Sequence, residues 1–264
     1  MSDTTVIILG AGRGTRLQPL TDTMPKCMTE FAGKPLIAHQ ISHFHDLQLD
    51  DIIIIAGYHK EIVERYAKLN GLACVENFDY ATTNMVYTLF TAEEHFSQGG
   101  DLIISYGDIV YEANIIPSLL DCPAAISVVV DLEWRKLWSL RMDDPLSDAE
   151  TLKFNSEGKL LEIGKRPNGY EDVQAQYLGL IKVRADHVEA FRAAYHSMDS
   201  DGEFDGKDYN NMYMTSFIQH LIDTNWDVQT VPIRGGWLEI DTLDDLHHYE
   251  RLLASGELDD FIKL

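Results

Sequence analysis

The chain has 264 residues and carries 21 Lys and Arg side chains against 43 Asp and Glu, a formal net charge of −22. A surface this acidic does not hold a long nucleic-acid backbone or an anionic membrane, because both need a positive field. Since 45% of the residues are hydrophobic, the chain can bury a core and is expected to fold. Any small anion that it binds must therefore meet a local basic site.

The cysteine content and the apolar runs bear on the compartment. Cys27, Cys74 and Cys122 are odd in number, lie far apart and form no CxxC pair, which favours neither a disulfide framework nor a zinc ribbon. The apolar run at 52–56 is far shorter than a membrane span, and the first apolar run, at 6–9, follows no basic segment. We therefore expect a reduced, cytoplasmic protein without an export or membrane segment.

Short β-branched runs alternate with helical periodicities in the first half, which is typical of a parallel sheet covered by helices. Strands are predicted at 6–9, 52–56, 102–105 and 126–130, with helices near 36–47, 59–69, 84–95 and 112–120. The second half predicts strands at 153–155, 159–163 and 176–183, helices near 186–196 and 211–223, a strand pair near 228–240 and a last helix at 243–253. These patterns predict an α/β fold with a Rossmann-like, mostly parallel sheet flanked by helices, and with a β-rich insertion.

A glycine-rich segment, Leu9-Gly10-Ala11-Gly12-Arg13-Gly14-Thr15-Arg16, directly follows the first predicted strand. Glycines at this place let backbone N–H groups approach a phosphate without an obstructing Cβ, so the segment predicts a phosphate-binding loop. The GxGxxG pattern of dinucleotide-binding folds fails at Thr15, no acidic residue ends the second strand, and no GxxxxGK[ST] loop occurs. An oxidoreductase and a P-loop kinase are disfavoured, and a plain strand-to-helix turn is the structural alternative.

Two further motifs follow this loop, namely Pro25-Lys26 and Gly33-Lys34-Pro35-Leu36-Ile37. The combination of G-x-G-[ST]-R, P-K and G-K-P-L-I resembles the signature of the nucleotidyltransferases that activate sugar 1-phosphates and phosphocholine. Residues 1–35 carry four basic side chains against three acidic ones, whereas the remainder carries 17 against 40. The resemblance implies that the backbone from Leu9 to Thr15 holds a nucleotide and that Arg16 and Lys26 balance its phosphate charge.

A nucleotidyl transfer gathers charge on the departing pyrophosphate, so we expect Mg²⁺ as a cofactor, held by one or two carboxylates. Asp108 directly follows the strand predicted at 102–105, at the carboxyl end where open α/β sheets bind ligands. Asp241, in Trp237-Leu238-Glu239-Ile240-Asp241-Thr242, matches the family's second metal position. An N-cap of the last helix is the alternative for Asp241.

The segment at 76–85 resembles the phosphocholine cytidylyltransferase-like branch, in which this stretch contacts the base and ribose. The resemblance assigns further nucleotide contacts to Asn77, Tyr80, Thr83, Asn84 and Gly107. Capsule-pathway cytidylyltransferases that accept phosphoglutamine similarly carry a Thr-Asn-Met segment, the Asp-Ala-Glu-Thr-Leu-Lys segment at 148–153 and the Asn-Met-Tyr-Met-Thr-Ser-Phe segment at 211–217. These resemblances imply transfer of CMP from CTP to a phosphocholine-like or phosphoglutamine-like acceptor, for the decoration of a surface polysaccharide.

Several aromatic and acidic side chains are candidates for the acceptor site. Aromatic rings beside carboxylates suit a cationic head group, although the same rings are ordinary core material. The candidates are Asp131, Trp134, Tyr177, Tyr213 and Glu239, with Trp138 as a further ring. Lys165 follows a strand-like run and matches the family's lysine that meets the acceptor phosphate, so we expect it to act with Arg16 and Lys26.

Together these patterns predict a single nucleotidyltransferase domain over residues 1–264. Residues 1–130 are expected to bind the nucleotide, and residues 131–264 to supply the acceptor-binding part and the C-terminal helix. The expected partners are small molecules rather than nucleic acid or membrane, and a homo-oligomer is left open. A sugar-1-phosphate nucleotidyltransferase that uses UTP or dTTP is the nearest alternative, and a non-catalytic nucleotide-binding regulator is the alternative of another class.

Overall fold

The computed structural model describes residues 4–96 and 99–264. The strands of this part of the chain are β1 (Thr5–Leu9), β2 (Glu30–Phe31), β3 (Lys34–Pro35), β4 (Asp51–Ala56), β5 (Ala73–Glu76), β6 (Leu102–Tyr106), β7 (Ile109–Tyr111), β8 (Ile126–Asp131), β9 (Leu152–Phe154), β10 (Leu160–Ile163), β11 (Gln176–Val183), β12 (Glu203–Phe204), β13 (Lys207–Asp208), β14 (Val228–Ile233) and β15 (Trp237–Glu239). The α-helices are α1 (Leu36–Asp46), α2 (Lys60–Leu69), α3 (Met85–Phe90), α4 (Ile115–Asp121), α5 (Trp134–Arg141), α6 (Val188–Ser197), α7 (Met214–Asp223) and α8 (Leu243–Ser255). Among the described residues, no helix combines the length and apolar character that crossing a bilayer requires.

The central sheet has seven strands in the order β14-β8-β11-β6-β1-β4-β5. Strand β1 pairs in parallel with both β4 and β6, β4 with β5, and β8 with β14. Strand β11 runs antiparallel between β6 and β8. The predicted α/β fold with a mostly parallel sheet is confirmed, and β11 and β14 from the second half complete a sheet that begins in the first half.

Successive side chains of the central strands point alternately to the two faces of the sheet and pack into two hydrophobic cores, one on each face. Val6 and Ile8 lie in the core that contains apolar residues of α1, α2, α4, α5 and α8. Ile7 points to the opposite face, into the core that contains apolar residues of α3, α6 and α7. Because successive strand side chains point to opposite faces, a run of β-branched residues becomes buried on both sides when helices cover both faces.

Two predicted elements differ from the structure. Both strands predicted near 228–240 form, as β14 and β15, but they do not pair with each other. β14 pairs with β8 and β15 pairs with β7, and Gly235 and Gly236, which both have positive φ, lie between them. The helix predicted at 84–95 ends as α3 at Phe90. The hydroxyls of Thr88 and Thr91 donate to carbonyls of the preceding turn and compete with helix continuation.

A buried carboxylate fixes the connection that follows the central sheet. Asp131 ends β8, and its Oδ1 accepts hydrogen bonds from the backbone N–H groups of Glu133 (2.8 Å) and Gly235 (2.9 Å). Its Oδ2 accepts from the indole Nε1 of Trp237 at 3.0 Å. One carboxylate thus joins the end of β8 to the start of β15, the strand that leads to Asp241.

We expect Asp131→Ala to lower the free energy of unfolding by about 3 kcal/mol, because it leaves three donors without their acceptor in a buried place. Urea denaturation followed by circular dichroism measures the change. Asp121→Ala is the matched control, since this exposed aspartate at the end of α4 should shift the value by less than about 0.5 kcal/mol. An Asp131→Ala protein that unfolds at the wild-type urea midpoint contradicts the structural role.

Candidate active site

The site begins where two neighbouring parallel strands end. In the pairing of β1 with β6, Leu9 lies opposite Tyr106, so the glycine-rich loop and the Gly107-Asp108 pair emerge side by side. The backbone N–H of Gly107 donates to the carbonyl of Leu9 at 3.1 Å. A Cβ on Gly107 would lie 2.7 Å from that oxygen, so a glycine is needed for this close approach.

A cavity of about 160 Å³ opens at this edge of the sheet. Its walls come from the glycine-rich loop, the stretch before α3, α3 itself and the end of β6. They comprise Leu9, Ala11, Gly12, Tyr80, Thr83, Asn84, Met85, Thr88, Tyr106, Gly107 and Asp108. Space is open beside Gly12, where an added Cβ would meet no atom within 4 Å. We call this space the loop cavity.

Asp241 reaches the same place from the far end of the chain. Strand β15 pairs with β7 so that Glu239 lies opposite Ile109, and the N–H of Ile240 donates to the carbonyl of Asp108 at 3.0 Å. The N-cap of α8 is Thr242, whose hydroxyl forms a capping box with Asp245, so the N-cap alternative for Asp241 is wrong. The Asp241 carboxylate is therefore available to the site.

The ammonium group of Lys26 lies between the two carboxylates. Lys26 Nζ donates to Asp108 Oδ2 at 2.6 Å and to Asp241 Oδ1 at 2.6 Å, and Arg16 pairs with Asp241 Oδ2. Burial lowers the pKa of Lys26, but the charges of the nearby carboxylates have the larger combined effect and hold this pKa above its ordinary value. Although burial also opposes the Asp241 charge, Lys26 and Arg16 lower the pKa of this carboxyl. Both shifts favour the charged forms of Lys26 and Asp241 at neutral pH.

The stem of Lys26 lies against the glycine-rich loop. Gly14 has a φ of 70°, and a Cβ built on it would lie 2.7 Å from Lys26 Cβ. The backbone N–H of Lys26 also donates to the carbonyl of Gly12 at 3.4 Å. The loop and the lysine are therefore packed as one unit, and the glycine at position 14 is needed both for its backbone conformation and for room.

A buried arginine supports the carboxylates from behind. Arg141 donates from Nη1 to Glu239 Oε2 at 2.6 Å and from Nε to Asp245 Oδ1 at 3.0 Å. Asp245 Oδ2 in turn accepts from the backbone N–H groups of Asp241 (3.1 Å) and Thr242 (2.9 Å). Burial raises the pKa of Glu239 against the opposing charge of Arg141. One guanidinium therefore holds both the start of α8 and a carboxylate that faces the next cavity.

A second cavity, of about 700 Å³, adjoins the first and shares Met85 and Tyr106 with it. We call it the aromatic pocket. Its rings are Tyr106, Trp138, Tyr177, Tyr213 and Trp237, its carboxylates are Asp148, Glu150 and Glu239, and its cations are Arg16, Lys165 and Arg166. Rings with carboxylates suit a cationic group, and cations suit a phosphate, so the pocket has complementary partners for both charges of a zwitterion.

Glu150 has an unusual place in this pocket. Gln176 fixes its backbone from both sides, because Gln176 Oε1 accepts from the Glu150 N–H at 3.1 Å and Gln176 Nε2 donates to the Glu150 carbonyl at 2.6 Å. Burial, together with the neighbouring charges of Asp148, Asp205 and Glu239, raises the pKa of Glu150 to about 7, although a hydrogen bond from Thr215 opposes the shift. Its charge therefore changes within the physiological range.

The structure gathers many of the residues that the sequence singled out. Those that line the loop cavity are Leu9, Ala11, Gly12, Tyr80, Thr83, Asn84, Gly107 and Asp108. Those that line the aromatic pocket are Arg16, Lys165, Tyr177, Tyr213 and Glu239. Lys26 and Asp241 join the two sets through their ion pairs with Asp108 and Arg16. Gly10, Gly14 and Thr15 belong to the loop but do not line either cavity.

Four other candidates lie elsewhere. Both carboxylate oxygens of Asp131 accept hydrogen bonds from the segment that leads into β15, at Gly235 and Trp237. Trp134 is buried against Trp138 and Tyr170. Neither residue lines the aromatic pocket. Asn77 is fully buried, and its side chain holds together the turn before α3 through Thr83, Thr88 and Asp79. Arg13 lies over the ring of Tyr58 at 5.1 Å, outside both cavities. These four side chains line neither cavity, and their assignment as ligand contacts stays a prediction.

The residue patterns alone did not indicate Glu150, Arg141 or Tyr106 as part of the site. Glu150 lies within the Asp-Ala-Glu-Thr-Leu-Lys segment, and that segment was its one available signal. Arg141 lies 98 residues from Glu239 in sequence, so no local pattern links them. Tyr106 directly follows the strand predicted at 102–105, and no sequence pattern indicates that it lines both cavities.

Comparison with known proteins identifies the family of the chain. The MobA-like NTP transferase domain family matches residues 6–165. CTP:phosphoglutamine cytidylyltransferase of Campylobacter jejuni subsp. jejuni serotype O:2 is 40% identical over 245 residues, which cover 91% of this chain and 96% of that protein. Choline-phosphate cytidylyltransferase of Streptococcus pneumoniae is 41% identical over 91 residues, covering 34% of this chain and 40% of that protein.

Solved structures share the fold. CTP:phosphocholine cytidylyltransferase from Streptococcus pneumoniae superposes with a TM-score of 0.70 at 23% identity, covering 96% of this chain and all of that chain. The inositol-1-phosphate CTP transferase from T. maritima superposes with a TM-score of 0.76 at 17% identity, covering 100% of this chain and 98% of that chain. The chain therefore belongs to the MobA-like NTP transferase domain family and is a nucleotidyltransferase.

Proposed function

We propose that this nucleotidyltransferase moves CMP from CTP to a phosphorylated small acceptor that also carries an ammonium or amino group. One observation carries the proposal. A continuous set of ion pairs runs from Asp108 in the loop cavity through Lys26 and Asp241 to Arg16 in the aromatic pocket. Charged groups thus lie where a bound nucleotide and a bound acceptor would meet.

The choice of CTP and of the acceptor rests on two supports. The relative that shares 40% identity over nearly the whole chain uses CTP and phosphoglutamine by its name. The aromatic pocket supplies carboxylates among rings at Glu150 and Glu239, and cations at Arg16, Lys165 and Arg166. A sugar 1-phosphate carries no cation to balance the charge of Glu150, whereas Glu239 already pairs with Arg141, and this disfavours a sugar-1-phosphate substrate.

In the proposed reaction an oxygen of the acceptor phosphate attacks the α-phosphorus of CTP, a new P–O bond forms, and the bond to the β-phosphate breaks with release of pyrophosphate. No side chain becomes a nucleophile, so the chain contributes positioning and charge stabilisation. Backbone groups of the loop from Leu9 to Gly14 hold the nucleotide. Arg16 and Lys26 balance the charge on its phosphates, and Lys165 orients the acceptor phosphate.

We also propose Mg²⁺ as the cofactor, held by Asp108 and Asp241. The donors fit this ion, because Mg²⁺ is usually bound by one or two carboxylates together with substrate phosphates and water. Asp108 Oδ1 is buried and has no hydrogen-bond partner among the described residues, so it lacks the partner that a cation would provide. When bound, the ion neutralises charge on the phosphates during the transfer. Within residues 4–96 and 99–264 no group of three or more His, Cys, Asp or Glu side chains is arranged to hold a metal ion.

The cellular setting belongs to the same proposal. We infer that the reaction takes place in the cytoplasm and that its CDP-linked product serves the decoration of a surface polysaccharide. The support is the likeness to cytidylyltransferases whose sequence segments recur here at 148–153 and 211–217. Cell fractionation, together with analysis of surface glycans after deletion of the gene, tests both statements.

The direct test of the function is pyrophosphate release over a grid of nucleotides and acceptors. We expect CTP with phosphoglutamine or phosphocholine to give the highest kcat/KM, and EDTA to abolish turnover until Mg²⁺ is restored. UTP or dTTP with glucose 1-phosphate is the comparison reaction. A preference for that pair contradicts the proposed substrates, and tight CTP binding without pyrophosphate release from any acceptor supports a nucleotide-binding regulator instead.

Removal of either phosphate-balancing cation should slow the transfer. We expect Lys26→Ala and Arg16→Ala each to lower kcat by about 100-fold or more, the range for losing one preorganised donor to a developing charge. Steady-state kinetics with saturating CTP measures the effect. Lys60→Ala is the control, since Lys60 pairs with Glu64 and Glu76 outside both cavities and its loss should leave kcat unchanged. Wild-type turnover by a folded Lys26→Ala protein contradicts the assignment.

The ionisation of Glu150 should make acceptor binding depend on pH. Its pKa near 7 lies above that of a free carboxyl, so the group is neutral at pH 6 and anionic at pH 8. The anion attracts an ammonium group, and we expect KM for an ammonium-bearing acceptor to fall by about tenfold between these pH values.

The Glu150→Gln variant provides the comparison for this pH effect. We expect its KM to stay high and to vary less with pH than that of the wild type. The exposed Glu157→Gln variant should retain the wild-type profile and serves as the control. Identical pH profiles for wild type and Glu150→Gln, measured with the same acceptor, contradict the role of Glu150.

A further inference from the structure

The position of Lys26 conflicts with a simple picture of the proposed magnesium site. Its ammonium group donates to both carboxylates that we assign to the ion, and Arg16 pairs with the remaining oxygen of Asp241. Of the four carboxylate oxygens, Asp108 Oδ1 has no hydrogen-bond partner among the described residues. An ion that binds both carboxylates must therefore compete with Lys26 for them.

The competition is between like charges in a half-buried place. The Lys26 side chain is 12% exposed, that of Asp108 22% and that of Asp241 11%. Two carboxylates this close repel each other unless a cation lies between them, and the repulsion is stronger where water is partly excluded. The lysine supplies that cation within the chain itself, so the two carboxylates can stay together without an added ion.

The surroundings of Lys26 also show where the displaced ammonium group can find a partner. Its stem lies against Gly14, and its backbone N–H donates to Gly12, so the side chain is anchored on the glycine-rich loop. That loop forms part of the loop cavity, where the nucleotide phosphates are proposed to lie. With a nucleotide bound, a lysine that leaves the carboxylates gains a phosphate partner. Without a nucleotide it would lose two ion pairs and gain none.

We propose that Lys26 takes the place of the divalent ion in the free enzyme. The lysine holds Asp108 and Asp241 together there and makes tight binding of the ion depend on the nucleotide. This inference rests on the proposed magnesium site. In the free enzyme the lysine prevents tight binding of a bare divalent ion. When a nucleotide arrives, the ammonium group moves from the carboxylates to the phosphates and leaves both carboxylates to the ion.

The test measures binding of Mn²⁺ alone, by the electron paramagnetic resonance signal of the free ion, to protein without nucleotide. We expect Lys26→Met to bind Mn²⁺ about tenfold more tightly than wild type, because one competing positive charge is removed. Lys26→Arg keeps the charge and should bind as weakly as wild type. Lys60→Met is the matched control, since it removes another lysine from a lysine–carboxylate pair and should change nothing. The double variant Lys26→Met with Asp108→Asn should lose the gain.

A folded Lys26→Met protein that binds Mn²⁺ no more tightly than wild type overturns the inference. A second measurement needs no variant. Mg²⁺ alone should leave the melting temperature of the wild-type protein nearly unchanged, whereas Mg²⁺ with CTP should raise it by more than CTP with EDTA does. Stabilisation by Mg²⁺ alone equal to that by Mg²⁺ with CTP overturns the inference even if Lys26→Met does not fold. The proposed function fails separately, by the absence of pyrophosphate release from any nucleotide and acceptor.

Discussion

The parallel pairing of β1 with β6 is the constraint on which the site depends. Because Leu9 and Tyr106 lie opposite each other, whatever follows these two strands must emerge at one edge of the sheet. The glycine-rich loop follows one strand and Asp108 follows the other. The chain brings Asp241 to the same edge through β15, which pairs with the strand that continues from Asp108. A backbone register thus determines where the charges meet.

The charges in turn explain how an acidic protein can bind a triphosphate. The net charge of −22 describes the surface as a whole, but in the site Arg16, Lys26 and Arg141 each pair with carboxylates. In a partly dehydrated place these pairs interact more strongly than on the surface, and their geometry is held by buried hydrogen bonds. The arrangement keeps positive and negative side chains close together. The proposed binding of an anionic nucleotide together with a cation requires both.

Local patterns predicted the central strands and the place of the glycine-rich loop after β1 well, because β-branched runs and clustered glycines express local conformational preferences. The local patterns gave wrong or missing predictions where the outcome depends on contacts between segments that are distant in sequence. The pair expected near 228–240 separated because β14 and β15 found partners in β8 and β7. Asp131 is of a residue type that often binds ligands, yet its carboxylate accepts a hydrogen bond from the indole of Trp237. Arg141 could not be found from sequence, since its partners lie on β15 and α8.

Two carboxylates of the aromatic pocket, Glu150 and Glu239, are held in different ways. Their roles are unequal, because Glu150 is held by its backbone through Gln176, whereas Glu239 shares Arg141 with the start of α8.

The guanidinium of Arg141 has a consequence for how this enzyme can change during evolution. Because Arg141 pairs with both Glu239 and Asp245, a substitution at Glu239 disturbs the segment that carries Asp241 as well as the aromatic pocket. A substitution at Glu150 changes the charge of the pocket without touching that network. Under the proposed function, new acceptor preferences are reached more easily by substitution at position 150, whereas the pairing of Glu239 with Arg141 constrains substitution on its side of the aromatic pocket.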